Sequence, residues 1–102
     1  MSGPWLKICG LTTPGGVEAA LEQRVDAVGF VFHAASSRNV TPERARELTR
    51  DVPRAVLRIA VTLHPSQALV DEIAAVFRPD ALQSDVEDFE TLRLPRGMAT
   101  LP

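Results

Sequence analysis

At 102 residues, 45% hydrophobic and with a formal net charge of −2, the chain has the size and makeup of one small globular domain. A pI of about 5.6 gives no overall basic field to recruit nucleic acid or an anionic membrane, and no apolar stretch approaches the roughly 20 residues that span a bilayer. The single cysteine excludes an internal disulfide and suits a reducing cytoplasm, and Met1-Ser2-Gly3-Pro4-Trp5 lacks the pattern of a signal peptide.

The apolar run from Trp5 to Cys9 reads as a strand that ends at the chain's only thiol and turns at Gly10. Thr13 and Pro14 then supply an N-cap and a first helical residue. Val17, Ala20 and Leu21 follow at helical spacing, although Gly15 and Gly16 weaken the first turn. Asp26 to Phe32 is nearly continuous in apolar residues, as in a parallel strand covered on both faces. A polar loop from His33 to Val40 leads to a second Thr-Pro start at Thr41-Pro42, with Ala45, Leu48 and Val52 as its buried stripe. Val56 to Leu63 is the third strand, rich in branched residues. Ser66 caps an amphipathic helix carrying Leu69, Val70, Ile73, Val76 and Phe77. Ala81-Leu82-Gln83 is a short fourth strand, Val86 to Leu92 a weak helix, and Met98 to Leu101 the start of a fifth strand.

This alternation is that of an α/β protein with a parallel sheet. Two architectures fit: an open doubly wound sheet, or half of an eight-fold barrel, which typically needs about 250 residues. No Gly-x-Gly-x-x-Gly follows the first strand, so a dinucleotide-binding form has no support.

In parallel α/β proteins, chemistry gathers at the C-terminal ends of strands. Cys9 stands there, either as a thiolate that removes a proton or as a small buried hydrophobe. Lys7, two residues earlier, shares its face and needs a partner, commonly a structural ion pair. Arg38 lies in the loop after the second strand, at the same end, where a guanidinium grips a carboxylate or phosphate, or is simply solvated. His33 and His64 each end a strand but lack the constellation of a metal site, and read as loop histidines. Asp85 and the run Glu87-Asp88-Glu90 read as a solvated helix start.

Lys7-Ile8-Cys9-Gly10-Leu11-Thr12, then Gly29-Phe30-Val31-Phe32, then Ser37-Arg38-x-Val40-Thr41-Pro42-Glu43-x-Ala45 together resemble the phosphoribosylanthranilate isomerases of tryptophan biosynthesis. The resemblance is collinear and runs to at least Gln83. It implies a (β/α)8 TIM barrel, here a truncated half-barrel of about four βα units over residues 1–102. It also implies an Amadori rearrangement of a phosphosugar-anthranilate, without cofactor or metal. Cys9 matches the general base that removes the C2′ proton of the ring-opened Schiff base. Arg38 matches the residue contacting the anthranilate carboxylate, and Lys7 and Gln83 line the substrate site. The general acid and the phosphate-binding loops of the family lie beyond this chain.

The fourth strand departs from the family: where Gln-Leu-His-Gly is common, the chain has Gln83-Ser84-Asp85-Val86. The expected partners are the small substrate and, through open sheet edges, a second copy or a missing C-terminal half; neither nucleic acid nor membrane is expected. The alternative function is a non-catalytic half-barrel acting through self-association. A further alternative is another barrel enzyme using a first-strand cysteine on a sugar phosphate. Val28, Phe30, Phe32, Ile59, Val61 and Leu63 are expected to supply much of the exposed apolar surface of a half-barrel.

Overall fold

The computed structural model describes residues 5–102; the start of the chain, read above for a signal peptide, lies partly outside them. Five strands and three helices alternate: β1 Lys7–Ile8, α1 Pro14–Glu22, β2 Ala27–Val31, α2 Pro42–Leu48, β3 Leu57–Val61, α3 Gln67–Glu72, β4 Ala81–Gln83 and β5 Ala99–Leu101. A π-helical turn, Ile73–Phe77, extends α3, and a 3₁₀ turn, Val86–Glu90, precedes β5.

The helix starts follow their caps. Thr13, Thr41 and Ser66 accept hydrogen bonds from the amides of Gly16 (3.0 Å), Arg44 (3.1 Å) and Leu69 (3.1 Å), each satisfying an otherwise unpartnered donor. Pro14 and Pro42 occupy the first turn, where a missing N–H is harmless.

All strands are parallel and pair in chain order, β1-β2-β3-β4-β5. A doubly wound sheet reverses direction at a switch point; this one does not, which selects the barrel architecture. The faces agree. Val28, Phe30, Ala60 and Leu82 pack with Val17, Ala20, Ala45, Leu48, Val70, Ile73 and Phe77, so the helices cover one side. Phe77 meets Phe30 edge-on, with ring centroids 5.5 Å apart. The alternate positions Ala27, Ile59 and Ala81, with Val61 and Leu101, form a separate cluster on the inner face.

Several expectations change. β1 pairs only over Lys7–Ile8, leaving Trp5 exposed. α2 ends at Leu48, so Val52 is buried from the following loop. The weak helix of Val86 to Leu92 is a 3₁₀ turn of five residues. Val28, Phe30, Phe32 and Ile59 do not supply exposed apolar surface: each is at most 2% exposed, because the helices cover three of them and Ile59 packs within the inner cluster. Of the expected set only Leu63 is largely exposed; Trp5, Leu6, Leu57 and Val86 provide the rest.

Candidate active site

Cys9 directly follows β1, and the chain there is tied to β2 by the amide of Gly10, which donates to the carbonyl of Gly29 at 3.0 Å. Gly10 has φ +80°, a conformation disfavoured for residues with a Cβ. The thiol points to the inner face and lies across Gly29, where a Cβ would be 2.6 Å from Cys9 Sγ. Gly29 shares that face with Ala27, two residues before it, so the sulfur turns away from the helices.

Arg38 reaches the next residue, Gly10. The loop from His33 is folded back on β2 by the Val40 amide, which donates to the Val31 carbonyl at 3.0 Å. Ser36 Oγ accepts from the Arg38 amide at 3.1 Å. The Arg38 side chain crosses Gly10: a Cβ on Gly10 would be 2.7 Å from Arg38 Cδ and 2.8 Å from Nη1. Two glycines thus make room for a thiol and a guanidinium at the same strand-end rim.

Lys7 Nζ donates to Gln83 Oε1, joining β1 to β4 across the inner face. The structural ion pair expected for Lys7 is absent among the described residues; its partner is a neutral amide. All four residues proposed from sequence therefore gather on one face or its rim.

A second group on this rim escaped the sequence reading. Asp88 was expected in a solvated helix start, yet its side chain is only 10% exposed. It accepts from Ser84 Oγ at 2.5 Å, from the His64 amide at 3.0 Å and from His64 Nδ1 at 2.7 Å. The hydrogen bond from Ser84, then those from His64, hold its carboxyl below the ordinary value of 3.8. His64 has φ 46°, and its Nε2 lies 3.4 Å from Asp85 Oδ2. The Asp88 hydrogen bond and charge, with Asp85 and Glu87 adding to them, raise the imidazole above 6.5. Asp85 thus faces a histidine supplied by the chain just after β3. The available signal was that His64 and Ser84 end adjacent parallel strands; nothing marked Asp88 as their partner. His64, Asp85 and Glu87 form the one grouping with metal-ligand spacing among the described residues, and all three are exposed. His64 is already engaged by Asp85 and Asp88.

Parallel strands joined in order through helices on one side, with a thiol and polar groups at their C-terminal ends, define a β/α-barrel protein with a strand-end site. The chain belongs to the N-(5'phosphoribosyl)anthranilate (PRA) isomerase family, whose model matches residues 6–88. It is similar to the N-(5'-phosphoribosyl)anthranilate isomerase of Caulobacter vibrioides, 47% identical over 78 residues that cover 76% of this chain and 36% of that protein. It is 38% identical over 109 residues to the Rhodospirillum rubrum protein of that name, covering 99% of this chain and 50% of the relative. Among solved structures, a phosphoribosyl anthranilate isomerase in complex with reduced 1-(o-carboxyphenylamino)-1-deoxyribulose 5-phosphate superposes with a TM-score of 0.78 at 29% identity. That match covers 88% of this chain and 48% of the other. The Thermotoga maritima isomerase superposes at 0.76 with 27% identity, over 90% of this chain and 49% of that one. The chain spans between about a third and a half of the length of these curated relatives.

Proposed function

We propose that residues 1–102 are the N-terminal half of a phosphoribosylanthranilate isomerase barrel and carry the proton-abstracting side of its site. The observation that carries this reading is the packing of Cys9 Sγ over Gly29 beside an Arg38 laid over Gly10, at the mouth of the inner face.

In this reading the substrate ring opens to a Schiff base. The Cys9 thiolate then removes the C2′ proton, the C2′–H electron pair forms the C1′=C2′ bond, and the imine π pair returns to nitrogen. The resulting enol gains a proton at C1′ and gives up its C2′ hydroxyl proton as the C2′=O bond forms, which yields the ketose. Arg38 holds the anthranilate carboxylate through its paired N–H donors, which fixes the reacting carbon over the thiol. Lys7 and Gln83, joined across the inner face, bear on the substrate from the floor. On this reading turnover needs the rest of the barrel, whose remote phosphate contacts position the sugar. The setting is cytoplasmic, which keeps the lone thiol reduced; among the described residues no helix is long and apolar enough to cross a membrane.

A second reading, a non-catalytic half-barrel that assembles with itself or with a missing half, is favoured by the outer edges of β1 and β5, which are unpaired among the described residues. A solved structure of monomers generated from the dimeric Thermotoga maritima isomerase (TM-score 0.73, 26% identity) refers to self-association of that enzyme.

A chimera tests the leading reading: this chain replaces the equivalent half of the Rhodospirillum rubrum relative. Turnover of phosphoribosylanthranilate is expected, with Arg38→Ala raising KM about tenfold or more, as for loss of a charged hydrogen-bonded contact. A folded chimera without turnover, or an unchanged KM, contradicts it.

A further inference from the structure

At the opposite end of the sheet, five arginines line one cavity of about 390 Å³. Arg46 and Arg50 come from the end of α2 and just beyond, Arg54 from the next loop, Arg58 from β3, and Arg78 from the residue that closes the π-helical turn. They are five of the chain's eleven Lys and Arg residues, gathered in a molecule of net charge −2. Among the described residues, none of the five has a carboxylate within ion-pairing distance. Asp80, the one acidic residue lining the cavity, accepts from the Arg58 amide at 2.8 Å.

Two of the guanidinium groups are anchored. Arg58 Nη2 donates to the carbonyls of Thr49 (3.2 Å) and Val52 (2.9 Å). This covers the carbonyl end of α2, which would otherwise repel an anion. Arg58 Nε and Nη1 remain as donors. Arg78 Nε donates to the Ala75 carbonyl at 3.4 Å from a backbone held at φ 55°. Anchored forks lose less entropy on gripping a ligand, and their geometry matches phosphoryl oxygens.

We propose that this cavity binds a small phosphoryl anion of the diphosphate type. Its volume is within the range of small-ligand pockets. Five clustered positive charges call for a multiply charged ligand. A nucleic acid would need a basic track running beyond the cavity, whereas on the α2 side Glu43 and Glu47 stand with Arg46 and Arg50 in the neighbouring pocket. The cavity lies at the N-terminal ends of β3 and β4, away from Cys9, so the inference stands whether or not the isomerase reading does.

Calorimetric titration of the chain with inorganic pyrophosphate, at ionic strength held constant with sodium chloride, is the test. Saturable binding is expected, weakened at least tenfold by Arg54→Ser with Arg78→Asn, asparagine being chosen because it tolerates positive φ. Arg46→Ser with Arg50→Ser, at and just beyond the end of α2, is the second variant should the first fail to fold, and the same loss is expected. Absence of saturable binding, binding that survives the substitutions, or tighter binding of an oligonucleotide would each overturn the proposal.

Discussion

Gly29→Ala is the substitution that most directly probes how the thiol is seated. A Cβ at position 29 would be 2.6 Å from Cys9 Sγ, 3.2 Å from its Cβ and 3.3 Å from its Cα, whereas ordinary contact begins at 3.4 Å. Rotating the thiol relieves only the first clash; the other two require β1 to shift against β2. Overpacking of this kind costs about 1–3 kcal/mol, against a gain of about 0.5–1 kcal/mol from replacing a strand glycine. The net destabilisation expected is therefore about 0–2.5 kcal/mol, read by urea unfolding. Moving the base by about 1 Å lowers turnover on the order of 10²-fold. In the chimera, kcat is thus expected to fall far more than stability does, with KM little changed. Unchanged kcat in a folded Gly29→Ala chimera would refute the seating of Cys9 on this glycine.

The His64–Asp88 pair makes stability depend on pH with two signs. His64 is raised in the folded state, so its contribution is complete below about 6.5 and fades as pH rises through its folded value. Asp88 is lowered, so its contribution is complete above about 3.8 and fades as pH falls through its folded value. Urea midpoints of the wild type and His64→Gln, compared from pH 5 to 9, should converge toward the alkaline end; a constant difference would contradict the pairing. Thr41→Ala removes the cap on the Arg44 amide and should lower stability by ~1 kcal/mol with activity of the chimera unchanged. The open edges of β1 and β5 predict that the isolated chain associates; sedimentation showing a monomer at every concentration would contradict this.

The parts of this structure legible in the sequence are those set by near neighbours. Thr13-Pro14, Thr41-Pro42 and Ser66 act within one turn, so each helix start could be read directly. Period-two alternation places Lys7 and Cys9 on one face. Strand order needed three dimensions: the same elements permit a doubly wound sheet, and only the pairing of β1 through β5 in sequence excludes it. The glycine seats of Cys9 and Arg38 arise from contacts 20 and 28 residues apart. Asp88 was misread because acidic residues around a weak helix are ordinarily solvated, whereas here a serine and a histidine from adjacent strand ends enclose it. The arginine cavity is assembled from separate elements and has no linear signature.

In the proposed reaction Cys9 is the base that removes the substrate proton. The most direct test of this role is turnover of phosphoribosylanthranilate by the chimera carrying Cys9→Ala. A loss of about 10²–10⁴-fold in kcat with the fold intact is predicted; turnover within a few-fold of the unsubstituted chimera would contradict it.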